Sequence, residues 1–125
     1  MTPCNAPFNN MYFTVHGNVS PCWKTTSNCD HWSQDRSIKN IWEGEHFQKY
    51  RDTLEQNIFI NRCKECEKNI NEGVWPLAKA YEDFPMNQYP SLMELELSNQ
   101  CNLECIMCSG ELSSGIRKNR DKLPP

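Results

Sequence analysis

From Met11 to Lys24 (MYFTVHGNVSPCWK), apolar and polar positions alternate on both sides of His16-Gly17-Asn18. A period of two marks a half-buried strand, and Gly17 can take the positive φ of a tight connection, so the segment predicts a β-hairpin. Thr25 to Asp35 (TTSNCDHWSQD) is rich in Thr, Ser, Asn and Asp and predicts a loop. Two helical faces follow, one of Ile38, Ile41 and Trp42 and one of Phe47, Tyr50 and Leu54. At about 100° per residue these sets would point in nearly opposite directions on one continuous helix. Gly44 lies between them, so the pattern predicts a short helix near Ser37–Glu43 and a longer one near Glu45–Gln56.

Residues 71–90 (NEGVWPLAKAYEDFPMNQYP) hold Gly73, Pro76, Pro85 and Pro90 and predict a linker that packs through Trp75, Tyr81 and Phe84. In SLMELELS (Ser91 to Ser98), Met93, Leu95 and Leu97 alternate with Glu94 and Glu96, which is strand periodicity. A cysteine-rich run begins directly after that strand, and the polar ELSSGIRKNRDKLPP then predicts the start of a helix. No internal repeat is present. The mixture of hairpin, helices and a late strand predicts an α+β fold.

Composition changes the picture in one respect. The 125 residues fit one domain or two small ones. Only 38% are hydrophobic, against roughly 45–50% in average soluble domains, and the mean hydropathy is −0.77. A short, lean chain of this kind needs staples, and its 8 cysteines are the candidates. The net charge of −3 gives no electrostatic case for nucleic acid or an anionic membrane as partner. MTPCNAPFNN is not a signal peptide, and no stretch reaches the roughly 18 apolar residues of a membrane span. A cytoplasmic location is expected, where clustered cysteines more often bind metal or do redox chemistry than form disulfides.

Residues 101–108 read CNLECIMC, placing Cys101, Cys105 and Cys108 in the pattern Cys-x3-Cys-x2-Cys. A closed tetrahedral metal site takes four protein ligands and disulfides take cysteines in pairs. Three thiolates on one loop suit a 4Fe–4S cluster with one iron left for an external molecule. The strand followed by CNLECIMC resembles the start of the radical S-adenosylmethionine enzymes. That resemblance implies a partial βα (TIM-like) barrel and a 4Fe–4S cluster whose open iron is chelated by S-adenosylmethionine. It also implies a reducing electron donor and a 5′-deoxyadenosyl radical that abstracts a hydrogen atom from substrate. The residue before the third cysteine is often aromatic in that family and rests near the adenine; here it is Met107, apolar and polarizable, which can fill the same space or merely pack.

Cys4, Cys22, Cys63 and Cys66 form a second set. Cys-x12-Gly-x4-Cys across a hairpin, then a helical stretch, then Cys-x2-Cys resembles the twitch domain, the shorter relative of the SPASM domain. The resemblance implies one auxiliary iron–sulfur cluster held by these four thiolates, two of them from a Cys-x2-Cys turn. Cys29 is then the spare, or the replacement for one of the four. The expected division is 1–70 auxiliary cluster domain, 71–90 linker and 91–125 start of the radical core. A βα barrel takes roughly 250 residues, so the chain is expected to be an N-terminal portion of a longer enzyme, inactive alone. The substrate is beyond this sequence; peptides are one class the resemblance implies.

The alternative from another class is a zinc-stabilised, non-catalytic binding module, since a Cys4 set suits zinc equally well. A disulfide-bonded secreted protein also fits an even cysteine count. His16, His31 and His46 are expected to be exposed and without a catalytic role. Glu94 and Glu96 face either a barrel interior or solvent, and Trp23, Trp32, Trp42 and Trp75 are expected in the core.

Overall fold

The structure, a computed structural model, describes residues 2–27, 29–98, 100–101, 103–110 and 112–124. Asn28 of the expected loop, Asn102 within the cysteine run and Glu111 ahead of the last expected helix lie outside the described residues. The chain divides into two units, Met1–Leu95 and Glu96–Pro125.

In the first unit a single turn, α1 (Ala6–Asn9), leads into the expected hairpin of β1 (Asn10–Phe13) and β2 (Asn18–Ser20). Tyr12 lies opposite Ser20 and Phe13 opposite Val19 in antiparallel register. Gly17 has φ +87° and donates its N–H to the Thr14 carbonyl at 3.0 Å. An L side chain would be strained there. The stretch after the hairpin is not all loop. β3 (Asp30–His31) pairs antiparallel with β2, and the Trp32 N–H reaches the Gly17 carbonyl at 2.8 Å. Two residues are too few to show a period, so what marks this strand is its anchor: the buried Asp30 carboxylate pairs with Arg36.

α2 (Ile38–Trp42) and α3 (Glu45–Glu55) part at Gly44 as the periodicity predicts. The Asn40 N–H donates to the Ser37 hydroxyl at 3.1 Å and caps the first of them. A Cβ on Gly44 would lie 2.8 Å from the Asn40 carbonyl oxygen, so the break leaves no room for a side chain. Ile41, Trp42 and Phe47 join Met11 and Val19 in one core cluster, and Tyr50 and Leu54 are buried further along α3. Ile38 is an exception to its expected face, being 40% exposed. The Trp42 and Phe47 rings lie 5.4 Å apart, and the Arg51 guanidinium sits 4.4 Å from the Trp42 ring centre. Burying such rings is the largest single source of stability available to so small a core.

Two expectations need correction. Cys63-Lys64-Glu65-Cys66 is not a turn but the start of a helix, α4 (Cys63–Asn71), because nothing in CKECEKNIN breaks one. Nor is 71–90 a mere linker. Its 3-10 turn, Leu77–Tyr81, buries Ala78 and Tyr81 in the first unit. The Asn9 side-chain amide donates to the carbonyls of Tyr81 (2.8 Å) and Phe84 (3.0 Å), and the Trp42 indole N–H donates to that of Gln88 (2.9 Å). These polar anchors satisfy backbone groups that a proline-rich stretch cannot pair within itself. Tyr81 is the only one of the three expected packing aromatics that is buried; Trp75 is 61% exposed. Trp23 and Trp32 are also exposed, so Trp42 alone among the tryptophans belongs to the core.

β4 (Leu92–Leu95) forms where expected and pairs in parallel with β1, giving the order β3-β2-β1-β4. Its inner face is not the apolar one. Leu92 and Glu94 are half-buried, whereas Met93 and Leu95 are exposed. One Glu94 oxygen accepts from the Asn10 amide at 2.8 Å and from the Tyr81 hydroxyl at 3.0 Å, so Glu94 faces neither open solvent nor an empty interior. A one-residue slip would turn this carboxylate outward and lose both bonds, which fixes the register.

The second unit holds the cysteine run and α5 (Ser114–Asn119), the helix expected there. Ser113 caps it by accepting from the Ile116 N–H, and Ile116 is fully buried. Among the described residues no helix is long and apolar enough to cross a membrane.

The tryptophan distribution is directly testable. Trp42→Ala should cost about 3–5 kcal/mol in urea unfolding of the full chain, and Trp75→Ala should stay within about 0.5 kcal/mol. Equal losses would contradict the packing described.

Candidate metal centre

Each of the four cysteines in the first unit is delivered by a different local device. Cys4 lies just ahead of α1, with the Ala6 N–H directed at its sulfur. Cys22 follows β2 and opens the 3-10 turn Trp23–Thr25, so the N–H groups of Lys24 and Thr25 point back at its sulfur. The Ser20 hydroxyl holds the Cys22 carbonyl at 2.8 Å. Cys63 and Cys66 stand three residues apart on α4, which sets both on one helix face.

These four side chains line one cavity, with about 330 Å³ of empty space including its open mouth. Leu54, Phe59, Leu77 and Tyr81 form apolar walls, and Lys24 and Arg62 also line it. Burial pushes the Cys4 and Cys63 thiols up to about 12, and it raises Cys22 as well. Neighbouring thiolate charge adds to the rise for Cys4 beside Cys22 and Cys66, for Cys22 beside Cys66, and for Cys63 beside the other three. All four sulfurs are therefore mutual neighbours. Among the described residues, however, no set of three or more His, Cys, Asp or Glu side chains is gathered as a site for one ion. Four thiols lining one enclosed cavity form a donor set that either an iron–sulfur cluster or a single zinc ion can use.

Cys29 stands apart from this cavity and donates its S–H to the Thr26 carbonyl at 2.7 Å. The three histidines are exposed, as expected.

In the second unit Cys105 is exposed and Cys101 and Cys108 are half-buried. Backbone hydrogen bonds organise much of this run, and the Leu103 N–H also donates to the Cys101 sulfur at 3.4 Å. The Cys101 carbonyl accepts from the Gly115 N–H at 2.8 Å, and the Cys108 N–H donates to the Cys105 carbonyl at 3.0 Å. Arg120 donates to the carbonyls of both Cys105 and Cys108. Met107 is 90% exposed. Gly110 permits the close return of α5, since a Cβ there would lie 2.9 Å from the Arg117 Cα.

A family model described as SPASM, an iron–sulfur cluster-binding domain, matches residues 4–67, half of the chain. The chain belongs to that family. No curated protein and no solved structure matches it. The match begins at Cys4 and ends one residue past Cys66, so the SPASM region spans all four cavity cysteines, and iron–sulfur cluster binding is its described property.

Sequence reasoning missed the rest of the SPASM cavity wall. Tyr81 is legible only as a packing residue. Lys24, Thr25 and Arg62 carry no signal except that each lies within three residues of a cysteine. The Lys24 ammonium meets the Glu65 carboxylate at 2.5 Å across 41 residues of sequence, a pairing that only the fold reveals.

Two outcomes follow from the raised thiols of the metal-free chain. At pH 8 a thiol with a pKa of about 12 is ionised only on the order of one part in ten thousand. Alkylation followed by peptide mapping should label Cys105 first, and label Cys4 and Cys63 only on unfolding. The unfolded chain releases these protons near the ordinary value of 9.0 and the folded chain near 12. Between those values the folded state holds more protons, so stability is full below about pH 9 and is lost as pH rises toward 12. Urea midpoints of the metal-free chain at pH 8 and pH 10.5 should show that fall; a rise would refute the burial of these thiols.

Proposed function

We propose that this chain is part of a radical S-adenosylmethionine enzyme in which Cys4, Cys22, Cys63 and Cys66 hold one auxiliary iron–sulfur cluster. Cys101, Cys105 and Cys108 hold the 4Fe–4S cluster of the reaction. The observation that carries this reading is the gathering of four thiols around one cavity inside the matched region, together with a three-cysteine run after a strand. When bound, the second cluster supplies an electron that cleaves S-adenosylmethionine and yields a 5′-deoxyadenosyl radical for hydrogen abstraction from a substrate, peptides being one candidate class. The electron comes from a reducing donor protein or small molecule. The thiols of both sets must stay reduced, which fits a cytoplasmic setting.

The chain's own residues divide the work. The first set is enclosed by apolar walls and receives backbone N–H groups at Cys4 and Cys22, two features that protect a cluster and tune it. The second set offers three thiolates, so a 4Fe–4S cluster held by Cys101, Cys105 and Cys108 would keep one iron for the cosubstrate to chelate, and the exposed Met107 would be free to lie against its adenine. β4 serves the first unit through Leu92 and Glu94. Its outward Met93 and Leu95 remain for the TIM-like barrel that this reading requires. In functional terms 1–70 is then the auxiliary-cluster region, 71–90 its brace, and 91–125 the start of the radical core.

Anaerobic reconstitution with iron and sulfide, followed by metal analysis, tests this. Stoichiometric zinc without iron, in a colourless sample, would favour the zinc-stabilised binding module instead. With iron bound, the enclosed cluster should outlast the exposed one in air. Cys63→Ala should remove the air-resistant iron, and Cys105→Ala only the labile fraction, measured as iron retained per chain after a fixed exposure. The reverse assignment would refute the division of cysteines.

A further inference from the structure

Two cationic side chains in the wall of the four-cysteine cavity have no role in the cluster reading. Lys24 and Arg62 both line the cavity, and both pair with Glu65, which does not line it. Lys24 reaches one Glu65 oxygen at 2.5 Å; Arg62 reaches the other through Nε at 3.0 Å and Nη2 at 2.8 Å. The Lys24 side chain is only 18% exposed, so its charge is partly screened from water and strongly felt inside. Two cations share one carboxylate, which leaves a net charge of about one positive unit beside the cavity, on side chains that line it, while the carboxylate belongs to a residue that does not.

We propose that Lys24 and Arg62, positioned by Glu65, form a cationic rim that raises the reduction potential of the cluster held by Cys4, Cys22, Cys63 and Cys66. This rests on the iron–sulfur reading. Four thiolates leave such a cluster with net negative charge, and one-electron reduction adds one more unit without breaking a bond. A nearby cation therefore stabilises the reduced form more than the oxidised form, and a nearby carboxylate does the opposite. The positions are tied to the ligands themselves: Lys24 is two residues after Cys22, and Arg62 directly precedes Cys63. The rim thus moves with the sulfurs it acts on, and Glu65 is a positioning residue that also moderates the field.

The test is a potentiometric titration of the reconstituted full chain in a Cys105→Ala background, so that only the enclosed cluster reports. Lys24→Met should make reduction about tenfold less favourable, ~59 mV for a one-electron couple. Glu65→Gln should shift it the opposite way, and Lys24→Arg should hold the parent value. A merely structural clamp would behave differently, since loss of either partner would loosen the same bridge and shift the potential in one direction. Shifts of the same sign in Lys24→Met and Glu65→Gln, or no shift in either with iron fully retained, would overturn the rim and leave the cluster intact as a proposal. A parent chain that takes up no iron would overturn the cluster reading, and the rim with it.

Discussion

Everything in the first unit is subordinate to bringing four thiols from three places in the chain to one cavity. The apolar clusters are small: five buried residues in one, and in the other Ala6, Cys22 and Tyr81 with Cys4, Leu77 and Leu92 packed against them. Cysteines are thus members of the second core, not additions to it. A chain so poor in apolar residues cannot rely on burial alone, and in such chains the free energy of metal binding becomes part of the free energy of folding. The elements around the cavity are correspondingly short. Strands of two to four residues and a single-turn α1 have little stability in isolation.

That arrangement sets up an internal opposition. The apolar enclosure that protects a cluster also drives the empty thiols to their protonated form, as the raised Cys4, Cys22 and Cys63 show. Binding must release those protons, so uptake is favoured by higher pH while the metal-free fold is favoured by lower. The backbone N–H groups aimed at Cys4 and Cys22 lower the cost of the thiolate without opening the site to water. Hydrogen bonds and burial thus pull against one another at these thiols. The donor set admits an iron–sulfur group, and its surroundings would tune such a group once bound.

Wherever a feature has its own period or spacing, the sequence reveals it. The hairpin around Gly17 and the break at Gly44 are local patterns, and the α+β class follows from such elements. What escaped is what depends on distant partners. β3 exists because Asp30 finds Arg36 and because β2 offers an edge, and two residues cannot advertise that. The 71–90 stretch reads as a linker from its prolines, yet Asn9 and Trp42 supply the hydrogen bonds that fix it, and nothing in its own sequence predicts them. Trp23, Trp32 and Trp75 show the limit of reading burial from residue type, since a large ring is placed by its neighbours and not by its hydrophobicity alone. The cavity cysteines stand out in the sequence, and the charged residues in its wall do not.

β4 shows how one strand can satisfy two demands at once. Its alternation of apolar and acidic residues marks two faces but leaves open whether the glutamates turn to an interior or to solvent. The first unit uses the face of Leu92 and Glu94. Glu94 is held inward because Asn10, which pairs beside Leu92 in register, and Tyr81, which walls the cavity, both donate to it. A carboxylate drawn partly out of water is tolerable with two such donors and would be costly with none. The consequence is mechanical. Tyr81 touches the cysteine cavity at its ring and β4 at its hydroxyl, so the cavity wall and the strand that leads to the second cysteine run share one hydrogen-bonded joint. Placing an acidic residue on the inner face frees Met93 and Leu95 from the first core, and a strand with one face already committed can present the other to a second structure without disturbing the first.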